Sequence, residues 1–163
     1  SLKGRGGQQI PSTLAKQLAL YVVLYSPIQM AADLLDNYEA NPEPFQFIKD
    51  VPVDWSDSRT LDAALGDYVV VARKERTSDV WALGAITDEH PRVLSAPLGF
   101  LDAGRRYRAE IYRDGPDANY TDRRESIVIE QREVTSADVL TLALAPGGGQ
   151  AIRFVPLGRS RRR

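Results

Sequence analysis

The sequence predicts an α+β protein, with a helical segment first and an antiparallel β-sandwich after it. Three observations carry that expectation. A long apolar stretch runs from 14 to 38, interrupted once at Ser26-Pro27. From Ser56 onward, apolar and polar residues alternate in short runs separated by turn residues. Helical patterns therefore precede strand patterns without mixing, which is the segregated order of an α+β fold or of pieces of two domains.

The opening Lys3-Gly4-Arg5-Gly6-Gly7-Gln8-Gln9 is glycine-rich. A phosphate loop would end in Gly-Lys-Ser/Thr, and a dinucleotide loop would follow a strand. Neither condition is met, so this segment is expected to be a plain loop feeding a helix cap at Ser12 or Thr13. In the helix from 14 to about 25, Leu14, Leu18, Tyr21, Val22 and Tyr25 share a face, and Leu20, Val23 and Leu24 leave little of the other side polar. A helix apolar nearly all round is buried among other elements. With one sheet-like region to cover it, a partner outside this chain is expected. Proline cannot continue a helical turn but suits the first position of a new one, with serine before it as the cap. A second helix is therefore predicted from 27 to about 38, meeting the first at a sharp corner. Asn41-Pro42-Glu43-Pro44 reads as a rigid breaker, and 45–50 as a short helix.

The change to period two places a boundary between 53 and 58. Seven strands are predicted, at 59–65, 67–74, 80–86, 107–112, 126–134, 139–144 and 150–155. The turn residues Gly66-Asp67, Asp102-Ala103-Gly104, Asp114-Gly115-Pro116 and Ala145-Pro146-Gly147 fall between them. Short strands at this spacing mean a sandwich or small barrel.

Composition narrows the function classes. There is no cysteine, so neither a disulfide framework nor a thiolate metal site is available. No run reaches the ~18–20 apolar residues of a membrane span. The net charge of −1 is uneven, since Arg159, Arg161, Arg162 and Arg163 hold four of the 21 basic residues. The rest of the chain has 17 against 22 acidic residues, an acidic body of −5 with no stripe of arginine and aromatics for stacking bases. Nucleic acid is not an expected partner, and 158–163 reads as a disordered basic tail. The chain opens on Ser1-Leu2 rather than on methionine, and a piece of a longer protein is expected.

No catalytic constellation emerges from spacing. His90 is the only histidine and precedes Pro91 in a loop, so it reads as a surface residue. The oxygen-rich run from Asp114 to Asp122 misplaces the glycine and the glutamate that a calcium loop requires. Asp33 and Asp36 share a helical face, but nothing flanks them to form a sugar cleft. Gly147-Gly148-Gly149 precedes a strand and reads as a turn. Trp81 lies in an alternating strand and is expected in the core. If the chain binds sugar by itself, the candidate stacking rings are Trp55, Tyr68, Tyr107 and Tyr112.

A set of sequence words occurs in order over roughly 13–155. They are Gln17-Leu18-Ala19-Leu20-Tyr21-Val22-Val23, Ser26-Pro27-Ile28-Gln29-Met30, Phe47-Ile48-Lys49-Asp50-Val51-Pro52, Gly66-Asp67-Tyr68-Val69-Val70-Val71-Ala72-Arg73, Ala109-Glu110-Ile111-Tyr112-Arg113-Asp114-Gly115, and Leu144-Ala145-Pro146-Gly147-Gly148-Gly149-Gln150-Ala151-Ile152-Arg153. Together they resemble the C-terminal part of glycoside hydrolase family 97, the bacterial α-glucosidase and α-galactosidase group. The resemblance implies a parent with an N-terminal β-super-sandwich, a (β/α)8 barrel and a C-terminal β-domain with an oligomerisation role. Residues 1–55 would then be the terminal helical segment of the barrel, and 56–157 the β-sandwich. The covering partner expected above would be the rest of that barrel.

Barrel chemistry sits at the C-terminal ends of the strands. The family's catalytic carboxylates and its calcium ligands would accordingly lie upstream, and no residue here matches their motifs. The chain itself is expected to be inactive and without a cofactor, its partners being the barrel, a second copy, and the parent's carbohydrate substrate. The parent is expected to be exported or periplasmic. This chain departs from the family where relatives often read Ala-His-Gln, having Ala15-Lys16-Gln17. It departs again where they often read Tyr-Glu-Ser-Pro, having Leu24-Tyr25-Ser26-Pro27.

Overall fold

A computed structural model of the chain describes residues 10–30 and 39–158. Within them are two helices, α1 (Leu14–Val23) and α2 (Pro42–Asp50), then eight strands. The strands are β1 (Trp55–Ala64), β2 (Tyr68–Glu75), β3 (Trp81–Thr87), β4 (Arg92–Pro97), β5 (Tyr107–Asp114), β6 (Ile127–Val134), β7 (Val139–Leu144) and β8 (Gly149–Pro156). Six form one sheet in the order β1-β2-β3-β8-β5-β6, while β4 and β7 form a second. Every pairing is antiparallel. The α+β class and the sandwich are as the sequence predicts.

The large sheet is covered on both faces. Between the sheets lie Trp81, Leu83, Tyr107, Ile111, Leu140, Leu142, Ile152 and Phe154, all nearly or fully buried. On the opposite face Leu18, Ala19 and Val22 of α1 meet Phe47, Trp55, Ala82, Tyr112 and Ala151. Side chains of successive strand residues point to opposite faces. In β3, Trp81, Leu83 and Ala85 therefore enter the sandwich, while Ala82 and Gly84 form the floor under α1. Gly84 pairs with Ala151, and Ile86 with Gly149, so small residues line that floor across two strands. A Cβ on Gly84 would sit 2.7 Å from the Ala19 carbonyl oxygen, and one on Gly149 2.6 Å from Lys16 Cα. The helix backbone rests on the sheet backbone there.

This packing revises several expectations. The inner face of α1 is covered by the chain's own sheet, with Ala15, Leu18, Ala19 and Val22 at 1% exposure or less, so no external body is needed to bury it. What stays uncovered is the end of the apolar run, where Leu24, Tyr25, Ile28 and Met30 are exposed. Residues 27–30 are not helical, and the remainder of the predicted second helix, with Asp33 and Asp36, lies outside the described residues. Ser26 instead closes a local turn, its Oγ accepting from Ile28 N at 3.3 Å and donating to Ile28 O at 2.6 Å. The proline-rich 41–44 run is not a breaker but the start of α2, because proline has no N–H to lose in a first turn.

The eighth strand, β4, was not among the seven expected. It follows Pro91 and ends at Pro97, a flanking that argues against a central strand. It pairs on one side only, with β7 in the two-stranded sheet.

Candidate functional site at the helix–sheet joint

The richest cluster of buried polar chemistry lies where the N-terminus of α1 meets the ends of β3, β5 and β8. A helix begins with N–H groups that have no partner within it. Here Thr13 caps α1, its Oγ1 accepting from Lys16 N at 3.2 Å. Leu14 N donates to Arg124 O at 2.7 Å, and Thr13 N to Gly147 O at 3.1 Å. The β7–β8 turn thus takes part in starting the helix.

Asp114, at the end of β5, organises that turn. Its Oδ2 accepts from Ala145 N and Gly149 N, each at 2.9 Å. Burial pushes its carboxyl above the usual range, partly opposed by the Thr13 hydroxyl, these two amides and the charge of Lys16. Lys16 donates from Nζ to Thr87 O at 2.6 Å, and burial lowers its pKa despite the nearby charges of Asp88 and Asp114. Each glycine of the 147–149 run has a reason. Gly147 has φ +64 and faces Tyr120, a Cβ on Gly148 would lie 2.0 Å from Asp114 Oδ2, and Gly149 abuts Lys16. Gly147 N also donates to Asp88 O at 2.7 Å, and Thr87 N to Gly148 O at 3.1 Å.

At the far end of α1, Arg73 of β2 donates to Val22 O at 2.6 Å and Val23 O at 3.0 Å. A cation on the last carbonyls of a helix satisfies orphan acceptors and opposes its dipole. Both ends of α1 are fastened to the sheet region, the N-terminal end through Lys16 and the Gly147 carbonyl and the C-terminal end through Arg73.

Two further polar clusters are built on ion pairs. Arg92 contacts Asp88 and the Thr87 hydroxyl, reaches Asp67 Oδ2 at 3.3 Å, and lies over the Tyr68 ring at 5.4 Å. Asp88 is consequently held well below the usual carboxylate range, chiefly by its hydrogen bond from Arg92 and then by the His90 amide. Asp88, Glu89 and His90 come within 4.8 Å of one another. Because Arg92 already occupies the Asp88 carboxylate, this group does not fit a calcium ion, which takes six to eight oxygen ligands. His90 is an exposed surface residue. Arg153 bridges Glu110 (3.0 Å) and Asp50 (3.7 Å), and Arg108 reaches the other oxygen of Glu110 at 2.9 Å.

Three of the four candidate stacking rings are in the core. Trp55, Tyr107 and Tyr112 are 4%, 0% and 7% exposed. The Tyr112 ring packs edge-on against Phe47 at 5.1 Å, and Tyr107 donates to Asp102 Oδ2 at 2.9 Å. Tyr68 is half-buried under Arg92. No two of these rings form a platform, and Trp81 is buried as expected. Sequence reasoning did not single out Arg73 or Arg92, and it weighed Asp114 only as the start of a calcium loop whose spacing fails. Two signals pointed toward the joint, the triple glycine and the unusual Lys16.

The arrangement holds a helical segment against a β-sandwich. Comparison with known proteins identifies the family. The sequence model described as "Glycosyl-hydrolase 97 C-terminal, oligomerisation" matches residues 54–155. The chain belongs to this family. It is 38% identical over 142 residues to a retaining alpha-galactosidase of Bacteroides thetaiotaomicron, covering 87% of the chain and 21% of that protein. A probable retaining alpha-galactosidase of Streptomyces bingchenggensis is 28% identical, with 84% of the chain and 20% of that protein covered. Among solved structures, a family 97 enzyme from Pseudoalteromonas sp. strain K8 in complex with acarbose is 53% identical with a TM-score of 0.92. That match covers 96% of this chain and 24% of the enzyme. The chain therefore spans about a fifth of the curated relatives and about a quarter of the solved enzyme.

Proposed function

We propose that this chain is the C-terminal part of a glycoside hydrolase acting on α-galactosides or α-glucosides, in which the β-sandwich supports the enzyme's structure and subunit association. The match of 54–155 to the family 97 C-terminal, oligomerisation family carries this reading. The substrate class is taken from the two curated relatives described above, each named as an alpha-galactosidase, and from one solved relative's complex with acarbose. In this reading residues 1–55 belong to the end of the catalytic barrel, with Trp55 already opening β1, 56–157 to the sandwich, and 158–163 to a basic tail. In support, four exposed apolar residues, Leu24, Tyr25, Ile28 and Met30, follow directly on the C-terminal end of α1, where a further body would cover them. The calcium of such an enzyme is held by residues outside this chain.

The chain alone is expected to turn over neither nitrophenyl α-galactoside nor nitrophenyl α-glucoside. A rate above the buffer blank would overturn the assignment of catalysis to segments outside it. Calorimetry against maltooligosaccharides separates this reading from a carbohydrate-binding module. Saturable heat would favour the module, and no binding is expected, because Trp55, Tyr107 and Tyr112 are enclosed.

A further inference from the structure

The two-stranded β4–β7 sheet has an outward face unlike the other exposed strand surfaces. Its inner residues Leu140, Leu142, Leu144 and Ala96 fill the sandwich core. The cross-strand pairs Val93–Ala143, Ser95–Thr141 and Pro97–Val139 point outward, and all six residues are exposed. Val93 is 74% and Val139 60% exposed, and none of the six carries a charge. The edge strands of the large sheet are treated differently. The exposed residues of β6 include Glu130, Gln131, Arg132 and Glu133, and those of β1 include Arg59. Such charges keep strand surfaces from associating. The face adjoins an open cleft of about 430 Å³, since Val93 and Ala143 line both, and Pro91, Pro116 and Pro146 extend its wall. Arg92, Arg113 and Asp114 line the cleft too, so the uncharged character belongs to the six-residue face and not to the whole cleft.

We propose that this face, with the adjoining proline-lined cleft, is the surface through which a second copy of the chain docks. The proposal rests on the oligomerisation reading above and names where it acts. A two-fold interface sets a patch against itself, so any charge near the axis meets its own like. A neutral patch of small and β-branched residues avoids that repulsion, whereas the exposed charges of β6 do not. The six side chains cover less than the ~800 Å² per partner of a standard interface. The contact therefore takes in the cleft as well, seating the partner's Pro97 or Val139 rim against the prolines.

The test is sedimentation velocity over a concentration series, on the chain and on its Val93→Glu and Thr141→Lys variants. Both sites are exposed, so far-UV circular dichroism and melting temperature are expected to stay unchanged. Like-charge juxtaposition at the axis should weaken the dimer at least tenfold, or about 1.4 kcal/mol. A Leu24→Glu/Met30→Glu variant should leave association unchanged. Because the chain has no cysteine, Ser95→Cys supplies a unique thiol, which a flexible bis-maleimide should link between copies; Thr60→Cys on β1 should not link. If the chain dimerises and neither charge weakens it, or Thr60→Cys links as readily as Ser95→Cys, this face is not the interface and the oligomerisation reading survives. If the chain remains monomeric throughout the series, that reading fails and this proposal with it.

Discussion

At the level of single residues, the joint depends on positions that admit no substitution of larger volume. Gly148 is the sharpest case, because a Cβ there would fall 2.0 Å from the Asp114 oxygen that pins the turn. Gly148→Ala is expected to cost about 1–3 kcal/mol, as overpacking does, and to lower the melting temperature accordingly. Gly99→Ala, with nothing within 4 Å, should be nearly neutral in the same assay. The two notable carboxylates should respond to pH with opposite signs. Asp88 is depressed in the folded state, so its contribution is present above the unfolded pKa of about 3.9 and is lost as pH falls through the folded value. Asp114 is raised, so its contribution is complete below that unfolded pKa and disappears as pH rises through the folded one. Melting curves from acid to neutral pH should show a shallower acid limb for Asp88→Asn than for the parent chain. Asp114→Asn should remove a loss that the parent suffers as pH rises above about 4.

At the level of elements, the helix and the strands were legible in the sequence to different degrees. Leu14 as first helical residue and a cap at Ser12 or Thr13 followed from the local pattern, and the structure resolves the choice to Thr13. The seven strands were legible from alternation and turn residues, because each buries at least one face. The cover over α1 was not legible. Helix-wide apolarity says that something must cover a helix, but the cover lies in Ala82, Gly84, Gly149 and Ala151, which are noncontiguous and carry little hydrophobic signal. Small residues facing a helix look like weak strand positions until the register brings them together. Asp114 was hidden for a similar reason, since its partners, Ala145 N and Gly149 N, are backbone groups 31 and 35 residues away. Arg73 gives the test at this scale. Arg73→Met keeps most of the stem but releases the carbonyls of Val22 and Val23, which should cost about 1 kcal/mol. Hydrogen exchange should then quicken through the last turn of α1, while exchange in β3 and β8 stays as before.

At the level of the whole molecule, the helices and the sandwich share one hydrophobic cluster, although the family match begins only at residue 54. A chain restricted to 54–158 would keep every strand yet lose Leu18, Val22 and Phe47, each 1% exposed or less. Fully burying side chains of this size contributes roughly 1.5–3 kcal/mol each, so the three together reach about 5–9 kcal/mol as an upper estimate. That is comparable with the entire stability of an ordinary domain, about 5–15 kcal/mol. The shortened chain would also expose the Ala82, Gly84 and Ala151 floor with Trp55 and Tyr112 beside it, and Asp114 would lose Thr13 and Lys16. It is therefore expected to bind a hydrophobic dye and to lack a cooperative thermal transition, whereas the full chain should melt in a single one. A 54–158 chain melting within a few degrees of the full one would mean that the sandwich folds independently. The helical segment would then be a passenger on the sheet, and the polar joint would serve only to orient it.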